Sequence, residues 1–202
     1  LLEAMQEHQI TAGGTRHQLV EPFFVLATQN PIEQEGTYPL PEAQLDRFLM
    51  YVRVEYPSHA EELQILDLDH QRQKAPLPPP QSLLSQDTLF ALRDAVAATF
   101  LDQKLNRYIV DLVQASRQPG SYDPDLARWC RFGASPRASI ALARCARARA
   151  WLDGERFVTP QHIRQVALEI LRHRILLSFE AEAEGVSTDD FVRRLLELVA
   201  IP

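Results

Sequence analysis

The stretch Phe23-Phe24-Val25-Leu26-Ala27-Thr28-Gln29-Asn30-Pro31 shows no polar–apolar alternation over its first six residues and then turns polar. An apolar run of this kind is typical of a strand buried on both faces, as in parallel sheets covered by helices. Pro31 ends the run, because proline cannot donate to a sheet ladder. In open α/β sheets, ligands bind outside the carboxyl ends of the strands. The pattern therefore predicts that the amide of Asn30 lies where it can meet a ligand.

The residues on either side of this stretch also predict regular structure. Residues 8–22 indicate a hairpin around Gly13-Gly14, because paired glycines supply the positive φ of tight hairpin turns. Pro41 suits the first position of a helix over residues 41–49, and Met50–Val54 predicts a second short strand. This first part is a mixed α/β unit.

Beyond Pro57 the sequence predicts only helices, about five of them forming a bundle. The clearest apolar stripe has residues at i, i+3, i+4, i+7 and i+8, which lie on one face of a helix. Serine or threonine followed by proline repeatedly marks a helix start, as cap and first position. The predicted helices are Glu61 to Leu68, Asp87 to about Phe100, one carrying the stripe Leu105 to Val113, and those opened by Ser135-Pro136, Thr159-Pro160 and Ser187.

Three segments together resemble the second half of a MoxR-type AAA+ ATPase. Ala27-Thr28-Gln29-Asn30-Pro31 is similar to the family's sensor 1 segment, and Leu45-Asp46-Arg47-Phe48 to its arginine-finger segment. Gly133-Ala134-Ser135-Pro136-Arg137 resembles its sensor 2 segment. The resemblance implies that residues 1–56 are the carboxyl-terminal part of the ATPase core and that residues 57–202 are its helical lid domain.

The same resemblance implies parts that this sequence does not contain. The sequence has no GxxxxGK[ST] phosphate-binding loop, and the family's acidic magnesium-binding strand is also missing. We therefore interpret the chain as the truncated, carboxyl-terminal portion of a larger ATPase. We expect these 202 residues alone not to hydrolyse ATP. The main ligands for ATP and Mg²⁺ are expected outside them.

The resemblance assigns roles to three residues whose chemistry suits them. The neutral amide of Asn30 can orient the attacking water beside phosphate, although an asparagine before proline also commonly caps a turn. Arg47 would reach the nucleotide of a neighbouring subunit, where an arginine stabilises transition-state charge. The alternative for Arg47 is an exposed side chain paired with Glu42 or Asp46.

Arg137 would contact the phosphates of its own subunit's nucleotide. It lies in the first turn after the Ser135 cap, where the helix end attracts anions. A cation is unfavourable for helix stability at that end, which favours a functional role. His173, at a predicted helix end, is interpreted as a cation that caps the helix. We expect Trp129, Phe132 and Trp151 to belong to the bundle core.

Composition narrows the class of protein. The net charge is −6, and residues 1–56 carry three arginines against eight acids, which argues against a nucleic-acid binder. Cys130 and Cys145 lack the spacing of a metal site and indicate reduced cysteines of a cytoplasmic protein. No apolar run approaches ~20 residues, so the sequence predicts no membrane span.

The function that the resemblance implies is a homo-oligomeric ring, usually a hexamer, that binds and hydrolyses ATP with Mg²⁺. Such a ring would act as a chaperone that remodels a client protein or assists cofactor insertion, with a co-protein of a metal-binding fold as a candidate partner. Two alternatives differ in class: a nucleic-acid-remodelling AAA+ motor and a non-catalytic interaction module. The acidic charge and a hairpin tip with only Arg16 weigh against the first.

Overall fold

The computed structural model describes residues 2–29, 40–74 and 84–202. Asn30, the predicted sensor 1 residue, lies outside the described residues, as does the proline-rich stretch from Pro76 to Pro80. The predicted fold class is confirmed: a small α/β part is followed by a helical bundle. No helix in the described ranges is long and apolar enough to cross a membrane.

The chain begins with helix α1 (Leu2–Glu7) and the predicted hairpin, formed by β1 (Gln9–Ala12) and β2 (Thr15–Gln18). Gly13 and Gly14 form its turn with φ of +59° and +78°, which explains why two glycines are needed there. The carboxylate of Glu3 ties α1 to the hairpin by accepting from Thr11 Oγ1 at 2.6 Å and from Thr11 N at 3.2 Å. The hairpin prediction is confirmed.

The two predicted core strands, Phe23–Thr28 and Met50–Val54, are not formed. Both segments are irregular, and each leaves apolar side chains facing solvent: Phe24 is 82% exposed and Val54 is 89% exposed. A strand needs a neighbouring strand to hydrogen-bond with, and the described residues supply no such strand for either segment. The Tyr51 amide donates instead to the Glu169 carbonyl at 2.7 Å. The prediction was wrong because apolar pattern alone does not provide a ladder partner.

Helix α2 (Glu42–Leu45) is only four residues long, so the predicted helix over residues 41–49 ends early. Helix α3 (His59–Lys74) is longer than predicted and has no buried residue. Its leucines and isoleucine are half exposed, so the predicted apolar face covers nothing within the described part of the chain. In the chain, α2 belongs to the α/β part and α3 follows it, before the bundle.

Residues 84–202 form the bundle around one hydrophobic core. Its largest fully buried side chains include Tyr108, Phe191, Leu142 and Ile163. The predicted stripe of α5 and the predicted caps Ser135 and Ser187 are confirmed. The helices are α4 (Gln86–Ala98), α5 (Gln103–Arg117), α6 (Pro124–Trp129), α7 (Pro136–Leu152), α8 (Pro160–Leu171), α9 (Phe179–Ala183) and α10 (Thr188–Leu198), with a 3₁₀ turn at Pro119–Ser121.

The bundle is not purely helical, which corrects the prediction. Strand β3 (Cys130–Phe132) pairs antiparallel with β4 (Leu176–Leu177). Strands of two and three residues are too short to leave a readable alternation in the sequence. Phe132 is 61% exposed on this small sheet and is not a core residue, whereas Trp129 does pack against the core.

The contrast between the two parts predicts unequal protection against hydrogen exchange. Amides of α5, α7 and α8 should exchange about a hundredfold more slowly, or slower still, than those of residues 8–29, because only the bundle buries its own apolar surface. Native-state exchange followed by mass spectrometry measures this. The Tyr51 amide should be protected despite its irregular surroundings, since it is bonded to Glu169. Equal protection of residues 8–29 and the bundle in a monomer would contradict the account.

Candidate functional site

The predicted sensor 2 segment forms the start of α7. Ser135 is the N-cap, and its hydroxyl accepts from the Arg137 amide at 3.2 Å. Pro136 occupies the first helical position, where a missing N–H costs nothing. The Arg137 side chain, 49% exposed, leaves this positive end of the helix. The segment therefore presents an N–H-rich helix end and a guanidinium on the same side.

The position of this helix end is fixed by the last turn of α5. The Ala134 amide donates to Ser116 Oγ at 3.0 Å, and Ser116 Oγ donates to the Val113 carbonyl at 2.7 Å. Arg117 Nε donates to the Ala134 carbonyl at 2.7 Å. Gly133 passes so close to Ser116 that an added Cβ would lie 2.4 Å from the Ser116 carbonyl oxygen. The start of α7 is thus held by hydrogen bonds with two side chains of α5 and by a close backbone approach that leaves no room for a side chain at residue 133.

The anion found at this helix end is the carboxylate of Asp46. It accepts from Ser135 Oγ at 2.8 and 2.9 Å, from Arg137 Nη1 at 2.9 Å and from Arg174 Nε at 3.2 Å. Burial by itself would raise the pKa of Asp46. The hydrogen bonds from Ser135 and Arg137, with the charges of Arg174 and Arg137, outweigh burial and lower the pKa below its ordinary value. Asp46 is therefore ionised at neutral pH.

Asp46 belongs to the predicted arginine-finger segment, which we call the finger segment (residues 45–48). The structure thus brings two of the three predicted segments together, although they are about 90 positions apart in sequence. The contact joins the α/β part to the bundle. The third segment, with Asn30, is outside the described residues.

Arg47 itself takes no part in this ion-pair cluster. Within the described ranges it makes no ion pair with Glu42 or Asp46, and its buried Nε has no hydrogen-bond partner. Asp46 is engaged by Arg137 and Arg174 instead. The alternative interpretation of Arg47, a side chain paired with a neighbouring acid, is therefore not realised among these residues.

Residues just after α8 also contact the finger segment, through its backbone carbonyls. Arg174 is buried and donates to carbonyl oxygens there, and His173 Nε2 lies 3.3 Å from the Phe48 carbonyl. The His173 ring stacks on Tyr51, with centroids 6.1 Å apart. Arg172 adds a bond to the Tyr51 carbonyl at 3.2 Å. This run of three residues was not predicted as part of the site.

His173 is not the capping cation that the sequence indicated. Burial, followed by the charge of Arg174, lowers the pKa of His173 from 6.5 to about 4, with only partial opposition from the Phe48 carbonyl and Asp46. His173 is therefore neutral at physiological pH. The sequence interpretation placed it at a helix end that favours a cation, whereas in the structure it is half-buried against Phe48 and Tyr51.

A buried neutral histidine makes stability depend on pH. Between about 6.5 and about 4 the unfolded chain binds a proton at residue 173 that the folded chain does not, so stability should fall as pH drops through this window. Asp46, with its lowered pKa, contributes to pH dependence only below about its ordinary value of 3.8. Between pH 7 and pH 5 the free energy of unfolding, measured with urea, should fall less for His173→Gln than for the natural chain. The exposed α3 variant His70→Gln is the control. If the free energy of unfolding falls equally in the natural chain and in His173→Gln, His173 is not the source of this pH dependence.

The described residues contain no group of three or more His, Cys, Asp or Glu side chains that could hold a metal ion. Cys130 and Cys145 are free thiols, and burial raises the pKa of each to about 11. Both remain protonated at neutral pH, which makes them poor nucleophiles and poor metal ligands.

Sequence reasoning missed Asp46 and Arg174 as site residues. Asp46 lies inside the finger segment, but the sequence does not show which residues it binds. Arg174 had only a weak signal, the basic run from Arg172 to Arg174 directly after an apolar stripe. A buried arginine needs a partner, but the sequence does not say which acid supplies it.

Two family models match the chain. Residues 1–50 match the ATPase family associated with various cellular activities (AAA), and residues 128–195 match the AAA lid domain. The finger segment falls in the first match, and Arg137 and Arg174 fall in the second.

Similar proteins match over the whole of this chain. It is 42% identical over 205 residues to the chaperone MoxR1 of Mycobacterium tuberculosis, covering 100% of this chain and 53% of MoxR1. It is also 42% identical over 202 residues to YeaC of Bacillus subtilis, covering 100% of this chain and 60% of YeaC. The crystal structure of a predicted ATPase from Cytophaga hutchinsonii superimposes with a TM-score of 0.91 at 41% identity, covering 100% of this chain and 61% of that one. The chain thus spans between half and two thirds of the length of these relatives.

Proposed function

Because the chain belongs to the MoxR-type AAA+ ATPases, we propose that it is the sensor and lid portion of an ATPase that uses hydrolysis to remodel client proteins. Residues 1–56 are proposed as part of the ATPase core and residues 57–202 as the lid domain. ATP would bind between subunits of a homo-oligomeric ring, proposed as a hexamer, in the cytoplasm. The MoxR1 relative carries the name chaperone, which supports protein remodelling as the outcome.

One observation carries the proposal: Ser135 and Arg137 already bind an oxygen anion at the start of α7. Their partner is the Asp46 carboxylate, with Arg137 Nη1 at 2.9 Å. A phosphate oxygen presents the same kind of acceptor, and a helix N-terminus with an added guanidinium suits it. The donor set therefore fits a nucleotide phosphate, to which Arg137 would turn from Asp46.

The other two proposed roles complete the hydrolysis site. Arg47, left without an acidic partner among the described residues, would stabilise charge on the nucleotide of the neighbouring subunit. Asn30 would orient the attacking water. When bound, ATP with Mg²⁺ supplies the reactive phosphate and the metal charge. The phosphate-binding loop and magnesium ligands would come from sequence outside these 202 residues, so the chain alone is proposed to be inactive.

We propose a client whose maturation includes insertion of a metal cofactor, delivered with a co-protein of a metal-binding fold. This finer assignment rests on the family resemblance. The geometry at α7 and the finger segment bears on nucleotide use and not on the client.

The proposal is tested by the nucleotide affinity of a full-length protein that contains the proposed phosphate-binding loop together with this chain. Arg137→Ala should weaken ATP binding roughly 10- to 100-fold, because a charge-assisted hydrogen bond contributes about 1.5–3 kcal/mol. The matched control is Arg149→Ala, an exposed arginine of the same helix that pairs with Asp153. It should bind ATP normally. Unchanged affinity in Arg137→Ala would remove this residue from the nucleotide site.

A further inference from the structure

Arg174 uses its whole guanidinium group on the finger segment, on Leu49 directly after it, and on the end of α8. Nε donates to Asp46 Oδ1 at 3.2 Å, and Nη2 donates to the carbonyls of Asp46, at 3.1 Å, and Phe48. Nη1 donates to the carbonyls of Leu49, at 3.3 Å, and Ile170. An arginine has five N–H donors, and here each has an acceptor. Its side chain is only 2% exposed.

The acceptors lie on both sides of Arg47 in the chain. Asp46 precedes it, and Phe48 and Leu49 follow it. Helix α2 ends at Leu45, so no continuing helix supplies N–H donors to the carbonyls that follow it. Arg174 therefore fixes the backbone from which the Arg47 side chain projects.

Further hydrogen bonds attach the chain just after the finger segment to α8 and to the residue that follows it. Arg172 donates to the Tyr51 carbonyl, and the Tyr51 amide donates to the Glu169 carbonyl at 2.7 Å. The residues that carry Arg47 are thus bound to α8 and the turn after it. These belong to the bundle and not to the α/β part in which Arg47 lies.

We propose that Arg174 is the positioning residue of the arginine finger, so that the lid of each subunit determines where its own Arg47 is presented to the neighbouring nucleotide. The inference rests on the proposed function, since it takes Arg47 as the finger. It adds that a lid residue acts on the next subunit's site through Arg47, without touching nucleotide itself.

The shape of the guanidinium provides a conservative test. Lysine keeps the positive charge beside Asp46 but has three donors on one nitrogen, which cannot reach acceptors spread along the backbone. Arg174→Lys should therefore preserve the ion pair and disturb the placement of Arg47. The matched control is Arg147→Lys, because Arg147 is also a partly buried lid arginine that donates to a carbonyl, that of Thr99.

In the full-length protein, Arg174→Lys should lower kcat on the order of 10- to 100-fold, since a displacement of about 1 Å can cost a hundredfold in rate. Its ATP affinity should stay within about threefold of normal, because the contact is not made to that subunit's nucleotide. Arg147→Lys should leave both quantities unchanged. A parallel loss of ATP affinity in Arg174→Lys would overturn the inference.

Subunit mixing gives a readout that simple destabilisation would not produce. Mixed with a phosphate-loop variant, Arg174→Lys should regain activity, because some interfaces then combine an intact pocket with an intact finger. Mixed with Arg47→Ala it should not, because every interface then lacks a properly placed finger. Recovery with Arg47→Ala but not with the phosphate-loop variant would overturn the inference. If Arg47→Ala itself gains nothing from the phosphate-loop variant in rings that co-assemble, the proposed role of Arg47 fails instead.

A second variant covers the case in which Arg174→Lys does not assemble into rings. Arg172→Lys loses the guanidinium contacts of residue 172, which are to the Tyr51 carbonyl, Asp189 and Glu169, and leaves those of Arg174 in place. It should show a smaller fall in kcat and the same mixing pattern as Arg174→Lys. If Arg174→Lys does not assemble and Arg172→Lys has a normal kcat, the inference is overturned, and Arg174 only stabilises the fold.

Discussion

Arg47→Ala should remove nearly all ATP hydrolysis by the full-length protein while leaving ATP affinity almost unchanged. An arginine supplied to the transferring phosphoryl group contributes about 10³–10⁵ in rate, and its contact matters chiefly in the transition state. In the structure the Arg47 side chain has no acidic partner among the described residues, so its loss breaks no ion pair within that part of the chain. Steady-state kinetics and equilibrium nucleotide binding measure the two quantities.

Mixing Arg47→Ala with a variant disabled in the phosphate-binding loop tests whether the arginine acts across a subunit boundary. Each protein should be inactive alone, and the mixture should recover part of the activity, because some interfaces pair an intact pocket with an intact finger. A control with Arg53→Ala, whose side chain reaches Asp189 at 3.7 Å, should hydrolyse ATP nearly normally. A mixture that stays inactive in co-assembled rings would place the action of Arg47 within its own subunit.

Gly133→Ala should cause the largest loss of stability of any alanine substitution at a described glycine. The added Cβ would meet backbone atoms that cannot move independently, at 2.4 and 2.5 Å from O and C of Ser116 and 2.7 Å from N of Arg117. We expect the free energy of unfolding to fall by about 3 kcal/mol or more. Overpacking in a core usually costs about 1–3 kcal/mol, and rigid backbone atoms can relax less than side chains. Urea unfolding monitored by circular dichroism measures it.

Gly120→Ala is the matched control, because its Cβ would meet only the Cβ of Ala127, at 3.3 Å. It should change stability by less than about 1 kcal/mol. The comparison also bears on function, since the backbone around Gly133 sets the start of α7 and thus the position of Arg137. Equal stability of the two variants would mean that the α5–α7 contact is looser than the structure shows.

The sequence predicted those elements whose determinants are local. The stripe of α5, from Leu105 to Val113, is buried as expected because helical spacing alone places these residues on one face. The caps Ser135 and Ser187 and the Gly13-Gly14 turn also depend only on neighbouring residues. Each prediction needed no knowledge of the rest of the chain.

The predictions that failed depended on distant partners. Phe23–Thr28 has the composition of a buried strand, but a strand forms only beside another strand. His173 was interpreted as a capping cation because the sequence does not show that Phe48 and Tyr51 cover it. Asp46 and Arg174 are 128 positions apart, and no periodicity relates them.

The same separation sets an order of events during synthesis. Asp46 leaves the ribosome 128 residues before Arg174. At translation rates of about 5–20 residues per second, that interval is roughly 6 to 26 s. Throughout it the nascent chain carries Arg47 without the guanidinium that holds the surrounding backbone. If the proposed role of Arg174 holds, an incomplete subunit would not present Arg47 correctly to its neighbour in the proposed ring, and only completed chains would form working interfaces.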